Sequence, residues 1–473
     1  MYDFDIAVLG GGPAGYTAAI RAAQWGAKTC LIEAEELGGT CLNHGCIPTK
    51  TLLQHTDFLR ELLRCGRHGI KIVDPAWTVN LTEMMDHKAQ VVRKLVGGVA
   101  SLLKSYKIEH FQGRGRIEKD LSISLNRPSS EKAEKICAKK IILAGGSESI
   151  KPPIPGIEHP AVLTSREVLQ LQALPESMVI IGGGVIGLEM ARIFSAFGTK
   201  ITILELADRL LPFMDEELSQ SVTAHFREQN ISFHTGVKVD RIEPASNGLN
   251  VFVTNGDCFF AENVLISTGR RANLSAVSNL DIQQERGFVA VDSRMQTNLA
   301  EIYAPGDING KCMLAHAAFQ MADVAVANAL DVEEREWSAK AIPSVLYGHP
   351  EVASVGLTEQ QAQQVVQEKK SSLLVGRFPF AANGRAVSAA QDQGMVKILC
   401  DAKYGEILGV HLVGPHVSEL INEAALAISA EITVHELAET VHAHPTYSEV
   451  LAEAAADALN KAVHLPAKKV AKR

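Results

Sequence analysis

Residues 5–33, DIAVLGGGPAGYTAAIRAAQWGAKTCLIE, decide the fold of this 473-residue chain. They read as an apolar strand, a glycine turn, an alanine-rich helix and a second apolar strand, which together make a βαβ unit. In such a unit Gly10 allows the tight turn, Gly12 lets the backbone approach a pyrophosphate, and Gly15 lets the helix pack closely on the strand. Glu33 stands where an acidic side chain accepts hydrogen bonds from ribose hydroxyls. The stretch therefore predicts a dinucleotide-binding site.

The pattern recurs at residues 178–205, where an apolar strand, a glycine turn, a helix and a strand ending in Glu205 follow one another. The second turn carries its glycines at the same spacing, at Gly182, Gly184 and Gly187. Because the Glu205 carboxylate would pair with a free 2′-hydroxyl and repel a 2′-phosphate, the second site is expected to prefer NAD over NADP. Arg209 is the nearby cation that could weaken this preference. Two such turns predict two dinucleotides in one chain.

Residues 37–50, LGGTCLNHGCIPTK, place Cys41 and Cys46 shortly after the first turn. In a regular helix, residues five apart have Cα atoms about 8.6 Å apart, beyond the roughly 7 Å that a disulfide spans. A bond between these cysteines must distort the start of a helix, a freedom that Gly45 supplies. Such a bond is expected to be reducible and catalytic, and a helix N-terminus there would lower a thiol pKa. Two buried thiols that merely lie close together are the alternative.

Length, composition and charge exclude several classes of protein. The length predicts roughly three or four domains. The net charge of −8 and the pI near 6.1 disfavour a nucleic-acid surface, which needs clustered basic residues. No run of about 18 uncharged apolar residues predicts a membrane span, and the start lacks a signal-peptide pattern, so structural disulfides are not expected among the eight cysteines. We expect a cytoplasmic protein, with a removed organellar presequence left open, whose basic end at 468–473 is a solvated tail.

The string from Gly38 to Lys50 resembles the redox-disulfide signature of the class I flavoprotein disulfide reductases, and the similarity runs nearly from end to end. The resemblance implies an α/β fold with two Rossmann-like dinucleotide-binding domains and a C-terminal α+β dimerisation domain. The implied domains are an FAD-binding domain with the redox disulfide at 1–147, an NAD-binding domain at 148–272, a central domain completing the FAD site at 273–341, and an interface domain at 342–473.

The same resemblance implies FAD in the first site and a nicotinamide nucleotide in the second, for which Glu205 favours NAD. No metal is expected, because no cysteine stands in an arrangement with zinc-binding spacing. Lys50 and Glu189 resemble the ion pair beside the flavin, and residues 303–307, YAPGD, resemble the stretch whose aspartate binds the ribityl chain. The FAD-binding residues are then Gly10, Gly12, Gly15, Glu33, Lys50, Gly306, Asp307 and Ala315. The NAD-binding residues are then Gly182, Gly184, Gly187, Glu205 and Gly269.

Residues 442–449, HAHPTYSE, offer a candidate base, because a thiol substrate must lose a proton before it can attack a disulfide. Pro445 is predicted to begin the last helix, with His444 just outside it and Glu449 in its second turn. By spacing alone, a surface histidine remains the alternative. The resemblance implies that His444 is the base, that Glu449 orients it, and that the pair reaches the disulfide of the other subunit in a homodimer.

Leu42 and Ile47 are the variants found in family members that oxidise protein-bound dihydrolipoyl groups with NAD⁺. The implied partners are lipoyl domains of 2-oxoacid dehydrogenase or glycine cleavage complexes. In these members the substrate thiolate attacks the position of Cys41, and Cys46 carries the thiolate that faces the flavin. Alternatives are a glutathione- or trypanothione-type reductase, a mercuric reductase, an NADH oxidase or transhydrogenase, and a scaffold without activity. His44 departs from the small aliphatic residue usual there; a solvent-facing side chain is favoured over a cation beside the disulfide.

Overall fold

The computed structural model describes residues 1–72, 78–128, 130, 132–229 and 231–467. The expectation of a solvated tail at 468–473 lies outside the described residues. The first βαβ unit has the predicted order, with the strand Phe4–Leu9, the helix Pro13–Gln24 and the strand Thr29–Glu33. The second has the strand Ser177–Ile181, the helix Val185–Ala196 and the strand Lys200–Leu204.

A parallel sheet forms the centre of the first nucleotide fold. Its strands lie in the spatial order Ile302–Tyr303, Ala138–Leu143, Phe4–Leu9, Thr29–Glu33 and Glu109–Gln112. The chain leaves Phe4–Leu9 on one side and returns on the other, so the switch point of the sheet lies between Phe4–Leu9 and Ala138–Leu143. Ligands of open α/β sheets bind at the carboxyl ends of the strands at such a point.

The second nucleotide fold repeats this topology with a parallel sheet of its own. Its strands lie in the order Ser232–His234, Lys200–Leu204, Ser177–Ile181, Asn263–Ile266 and Val162–Leu163. Here the switch point lies between Ser177–Ile181 and Asn263–Ile266, again beside the glycine turn.

The C-terminal part is built on an antiparallel sheet. Its strands lie in the order Ser344–Leu346, Glu351–Gly356, Ile407–Gly414, Met395–Asp401 and Leu373–Pro379. Helices cover it, and their apolar residues form one core with those of the sheet. The parallel nucleotide folds and this mixed C-terminal part make up the predicted α/β fold class; the residue boundaries predicted for the domains stay a prediction.

The remaining elements connect or flank these sheets. Short antiparallel ribbons pair Arg114–Ile117 with Ile123–Asn126 and Glu134–Ile136, Val239–Ala245 with Gly248–Val253 and Cys258–Ala261, Ser147–Ser149 with Arg270–Ala272, and Gln284–Glu285 with Phe288–Val289. The other α-helices are Gly39–His44, Cys46–Arg64, Leu81–Ser105, Ser165–Val168, Glu216–Glu228, Ala315–Ala329, Glu359–Glu368, Gly384–Ser388, Val417–Ser429, Val434–Glu439 and Glu449–Ala458. The 3₁₀ turns are Cys65–His68, Ser275–Val277, Asp307–Asn309 and Phe380–Ala382. In the described part of the chain, no helix has the length and apolarity to cross a membrane.

A buried ion cluster joins the second nucleotide fold to the C-terminal sheet. The Nζ atom of Lys397 lies 2.9 Å from Asp215 Oδ1, 2.8 Å from Glu217 Oε1 and 2.6 Å from Glu359 Oε2. The Lys397 side chain is only 2% exposed. Burial alone would lower the pKa of Lys397, but its hydrogen bonds to these carboxylates raise that pKa above its ordinary value. The cation therefore bridges three carboxylates, of which Glu217 and Glu359 also pair with Arg377.

Replacing Lys397 with Met should destabilise the protein by about 3–5 kcal/mol, since the buried Asp215 carboxylate, 2% exposed, loses its cation. The matched control is Lys369→Met. The half-exposed ammonium of Lys369 pairs with Glu406 at 2.9 Å. That exposed pair should contribute less than about 1 kcal/mol. The measurement is the melting temperature of both variants. A fall no larger for Lys397→Met than for Lys369→Met would show that the cluster does not hold these parts together.

Candidate functional site

The two glycine turns have the same geometry, and each leaves room for a pyrophosphate. A Cβ atom on Gly15 would lie 1.7 Å from the Gly10 carbonyl oxygen, and one on Gly187 would lie 2.3 Å from that of Gly182, so helix and strand pack closely at both. A Cβ on Gly12 would meet only the Gly39 backbone, at 3.9 Å, and one on Gly184 would meet nothing within 4 Å. The helices behind these two open positions begin without a side-chain cap, so their first N–H groups are free to bind an anion. These features fit the phosphates of a dinucleotide.

The acidic residues at the ends of the second strands are oriented by the turns themselves. The carboxylate of Glu33 accepts hydrogen bonds from the backbone N–H groups of Gly11, at 2.5 Å, and Glu35, at 2.7 Å. Glu205 accepts the equivalent pair of hydrogen bonds at 2.5 and 2.7 Å. Each carboxylate is thus fixed beside its glycine turn, where a ribose would lie.

One cavity of about 1760 Å³ connects both turns with the cysteine loop. This volume exceeds what one small ligand usually needs. The predicted site residues that line it are Gly10, Gly12, Glu33, Cys41, Cys46, Lys50, Gly182, Gly184, Glu189, Glu205, Gly269, Gly306, Asp307 and Ala315. Gly15 and Gly187 lie behind the turns, and His444 and Glu449 are not among the lining residues. The structure therefore brings most of the predicted residues together and leaves the candidate base apart from the cysteines of the same chain.

The cysteine loop is a helix broken at Gly45. The helix Gly39–His44 ends there, and the helix Cys46–Arg64 begins directly after it. Gly45 has φ −146° and ψ −107°, and a Cβ on it would lie 3.0 Å from the Thr40 carbonyl oxygen. The predicted distortion is thus a break between two helices, which places Cys41 in the first and Cys46 at the N-terminus of the second.

Cys41 and Cys46 are both thiols, and their side chains are hydrogen-bonded to each other. The hydrogen bond from Cys41 lowers the pKa of Cys46 to about 7; burial opposes this shift, and the Lys50 cation adds to it. The same contact raises the pKa of Cys41, and burial raises it further. Cys46 is therefore the thiol of the pair that ionises first.

Lys50 and Glu189 form an ion pair across two helices. The Lys50 ammonium donates to both carboxylate oxygens of Glu189, at 3.0 and 2.9 Å. Glu189 is 3% exposed and also accepts a hydrogen bond from the Tyr347 backbone N–H, at 3.1 Å. The pair lies beside Cys46, whose pKa responds to both charges.

Asp307 faces the cavity at the start of a 3₁₀ turn. Its carboxylate accepts a hydrogen bond from the Ser147 hydroxyl at 2.5 Å, and that hydroxyl accepts one from Arg270 Nε at 2.7 Å. Ser147 and Arg270 were missed by the sequence analysis because they lie far from Asp307 along the chain, on a ribbon that motif reading does not detect. The resulting chain of hydrogen bonds fixes the carboxylate where it could bind a polyhydroxyl chain.

His444 and Glu449 are in direct contact. His444 Nδ1 lies 2.8 Å from Glu449 Oε1, and Glu449 Oε2 accepts a hydrogen bond from the Thr446 N–H at 2.8 Å. Burial raises the pKa of Glu449, but the hydrogen bonds from Thr446 and His444 outweigh it, so the net shift is downward. The His444 side chain is 78% exposed. Glu449 therefore fixes the ring, and Nε2 remains free to take a proton.

The prediction that Pro445 begins the last helix is wrong. The helix begins at Glu449. The Thr446 hydroxyl donates to the Ala443 carbonyl at 2.7 Å, and Glu449 reaches back to the Thr446 N–H. These side-chain contacts stabilise a turn before the helix.

His442 is a residue beside the candidate base to which the sequence analysis assigned no role. Its Nδ1 lies 3.0 Å from the Thr440 carbonyl and its Nε2 lies 2.8 Å from Glu423 Oε1. Both neighbours are hydrogen-bond acceptors, an arrangement that favours the doubly protonated ring. The hydrogen bond to Glu423 raises the pKa of His442, although burial acts in the opposite direction. The ring thus ties the loop that carries His444 to the helix Val417–Ser429.

Two sequence expectations about cations need correction. His44 is half-buried rather than solvent-facing, and burial followed by the Arg166 cation lowers its pKa. It therefore favours the neutral form. Arg209 donates to the Pro212 carbonyl at 3.1 Å, whereas Lys238, which the sequence analysis missed, lines the cavity. Among the described residues no cluster of three or more His, Cys, Asp or Glu could hold a metal ion.

Comparisons with known proteins cover nearly the whole chain. A Bacillus subtilis (strain 168) protein named dihydrolipoyl dehydrogenase is 39% identical over 98% of this chain and 99% of its own length. A Haloarcula marismortui protein named dihydrolipoyl dehydrogenase 2 is 34% identical over 97% and 98% of the two chains. The solved structure of LpdA from Mycobacterium tuberculosis superposes with a TM-score of 0.87 at 27% identity, covering 95% of this chain and 98% of that one. The HOCl-induced flavoprotein disulfide reductase RclA from Escherichia coli has a TM-score of 0.84 at 27% identity over 96% and 99%.

Family models account for both halves of the architecture. Residues 342–455 match the dimerisation domain of the pyridine nucleotide-disulphide oxidoreductases. Residues 4–322, which contain both glycine turns and the cysteine loop, match the model described as pyridine nucleotide-disulphide oxidoreductase. The chain therefore belongs to the pyridine nucleotide-disulphide oxidoreductase family.

Proposed function

We propose that the chain is a dihydrolipoyl dehydrogenase, which oxidises protein-bound dihydrolipoyl groups with NAD⁺. The observation that carries this proposal is the cavity in which an ionisable cysteine pair lies between two dinucleotide turns. Relatives named dihydrolipoyl dehydrogenase, 34–39% identical over nearly the whole chain, support the substrate class.

The protein binds FAD and NAD. The first turn with Glu33, Lys50 and Asp307 would hold FAD, and the second turn with Glu205 and Gly269 would hold NAD. When bound, the flavin supplies two-electron exchange between the cysteine pair and the nicotinamide. The chain contributes the open backbone at the turns, the oriented carboxylates and the Lys50–Glu189 pair beside Cys46.

The thiol chemistry follows from the ionisation of the two cysteines and of His444. His444 Nε2 removes a proton from one substrate thiol, while Glu449 stabilises the resulting imidazolium. The substrate sulfur then bonds to Cys41 Sγ, the bond between Cys41 and Cys46 breaks, and Cys46 is released as a thiolate. The second substrate thiol attacks the substrate sulfur bound to Cys41, and its proton passes to the departing Cys41 sulfur. This step forms the substrate disulfide and returns Cys41 as a thiol, while His444 keeps the first proton and Cys46 remains a thiolate. Two electrons have then passed from the substrate to the cysteine pair.

The match of residues 342–455 to a dimerisation domain supports a homodimer. A homodimer also accounts for the separation of the candidate base from the cysteines of its own chain, because His444 of one subunit would serve the cysteine pair of the other. The expected partners are lipoyl domains of a 2-oxoacid dehydrogenase or glycine cleavage complex. A cytoplasmic location stays a prediction.

Replacing Cys41 or Cys46 with Ser should abolish lipoamide turnover, because the cysteine that remains in each variant has no partner with which to form the disulfide. Cys65→Ser, at a half-buried cysteine that does not line the cavity, should retain lipoamide turnover.

A second assay compares lipoamide with glutathione disulfide and NADH with NADPH as substrate pairs for the parent protein. Faster turnover with NADPH and glutathione disulfide would favour a glutathione-type reductase and contradict the proposal.

Replacing His444 with Gln should lower kcat for dihydrolipoamide about 10²–10⁴-fold, which is the usual contribution of a general base. The matched control is His464→Gln, because His464 forms the same type of pair with Glu453, at 2.6 Å, and is 69% exposed. The control should keep the parent kcat. Equal kcat values for the two variants would remove His444 from the mechanism.

A further inference from the structure

Lys50 is held on two sides, and Tyr347 takes part in both contacts. The Tyr347 backbone N–H donates to Glu189, the carboxylate with which Lys50 is paired. The Lys50 Nζ atom also lies 4.5 Å from the centroid of the Tyr347 ring. An ammonium at this distance is attracted by the negative face of an aromatic ring. The Lys50 charge is therefore fixed between a buried carboxylate and a half-buried ring.

Arg192 fixes the other side of the Tyr347 main chain. It lies on the same helix as Glu189, is 5% exposed, and donates through Nη1 to the Tyr347 carbonyl at 2.5 Å. Gly348, at φ +104°, allows the close approach, because a Cβ there would lie 2.8 Å from Arg192 Cδ. Tyr347 is thus clamped by its N–H to Glu189 and by its carbonyl to Arg192. We call this arrangement the Tyr347 clamp.

The position of the Lys50 charge matters for Cys46 because Coulomb attraction falls with distance. The titratable and charged groups that act on Cys46 are Cys41 from the preceding helix, Lys50 from its own helix, Glu189 from the second nucleotide fold and Arg270 from the ribbon beside it. Lys50 follows Cys46 by four residues on the same helix, so the two side chains lie on one face. Its charge stabilises the Cys46 thiolate, whereas Glu189 destabilises it. A lysine has a flexible four-carbon stem, so its ammonium stays in one place only if its surroundings hold it.

We propose that Tyr347, clamped by Arg192, is a positioning residue that fixes the Lys50 ammonium beside the Cys46 sulfur. The aromatic ring attracts the Lys50 ammonium, and the two hydrogen bonds of the Tyr347 backbone fix the position of the ring. The inference deepens the proposed function, on which it rests for the role of the Cys46 thiolate. A ring that only filled space would leave the ionisation of Cys46 unchanged when replaced by an apolar side chain.

Replacing Tyr347 with Leu should raise the pKa of Cys46 by about one unit. At pH values well below that pKa, the fraction of Cys46 present as thiolate should then fall about tenfold. The measurement is the ultraviolet thiolate absorbance of the reduced holoenzyme against pH, taken as the difference between each protein and its Cys46→Ser counterpart. Tyr347→Phe keeps the ring and should restore the parent midpoint. The matched control is Tyr404→Leu, which removes a ring 4.8 Å from the Lys403 ammonium and 67% exposed, outside the cavity. It should leave the midpoint unchanged.

A double-mutant cycle separates positioning from packing. In a Lys50→Met background, Tyr347→Leu should produce no further shift, because the charge that the ring holds is gone. A parent-like midpoint in Tyr347→Leu, or an equal shift with and without Lys50, overturns the proposal. Should Tyr347→Leu fail to fold, Arg192→Met removes the donor to the Tyr347 carbonyl and should raise the midpoint in the same direction; no rise in that variant overturns the proposal equally.

The titration uses no lipoyl substrate, so it is independent of the substrate class. A parent protein without lipoamide turnover would contradict the proposed function, while a shifted midpoint in Tyr347→Leu would still support the Tyr347 clamp. Normal lipoamide turnover with an unshifted midpoint would contradict the clamp alone.

Discussion

The ion pair between Lys50 and Glu189 is the contact on which the geometry of the site depends. It joins the cysteine helix to the second nucleotide fold, and the Tyr347 backbone adds the C-terminal part to the same point. A carboxylate as buried as Glu189 loses its hydration and is tolerated only when it is paired and hydrogen-bonded. Its two partners therefore hold segments together that are distant in sequence. The same pair governs the charge around Cys46, so architecture and chemistry share one contact.

The two nucleotide turns share one backbone geometry. In each, backbone packing requires glycine at the first and third positions, and the middle position opens toward the cavity. In each, an acidic residue accepts one hydrogen bond from a backbone N–H of its own turn and a second from the N–H two residues further along the chain. A carboxylate oriented in advance loses less conformational freedom when a ligand binds.

The sequence allowed prediction of those features that residues close together along the chain determine. The glycine turns, the strands around them and the broken helix at Gly45 follow from local spacing, because backbone sterics decide them within a few residues. The hold of Ser147 on Asp307 and of Tyr347 on Lys50 could not be predicted, because each joins segments more than a hundred residues apart. The prediction that the last helix begins at Pro445 failed for a related reason. Proline favours the first turn of a helix, but the contacts of Thr446 stabilise a turn instead, and the helix begins only at Glu449.

The break at Gly45 has a consequence for the direction of reaction. It makes Cys46 the first residue of a helix of 19 residues, while Cys41 is the third residue of a helix of six. A helix N-terminus lowers the pKa of a thiol placed there. In thiol–disulfide exchange the sulfur of the more acidic thiol is the better leaving group. A disulfide between these residues would then be polarised by the backbone, and an incoming thiolate would be directed to the Cys41 end. In the proposed mechanism, the regiochemistry of attack would follow from where the first helix ends and the second begins.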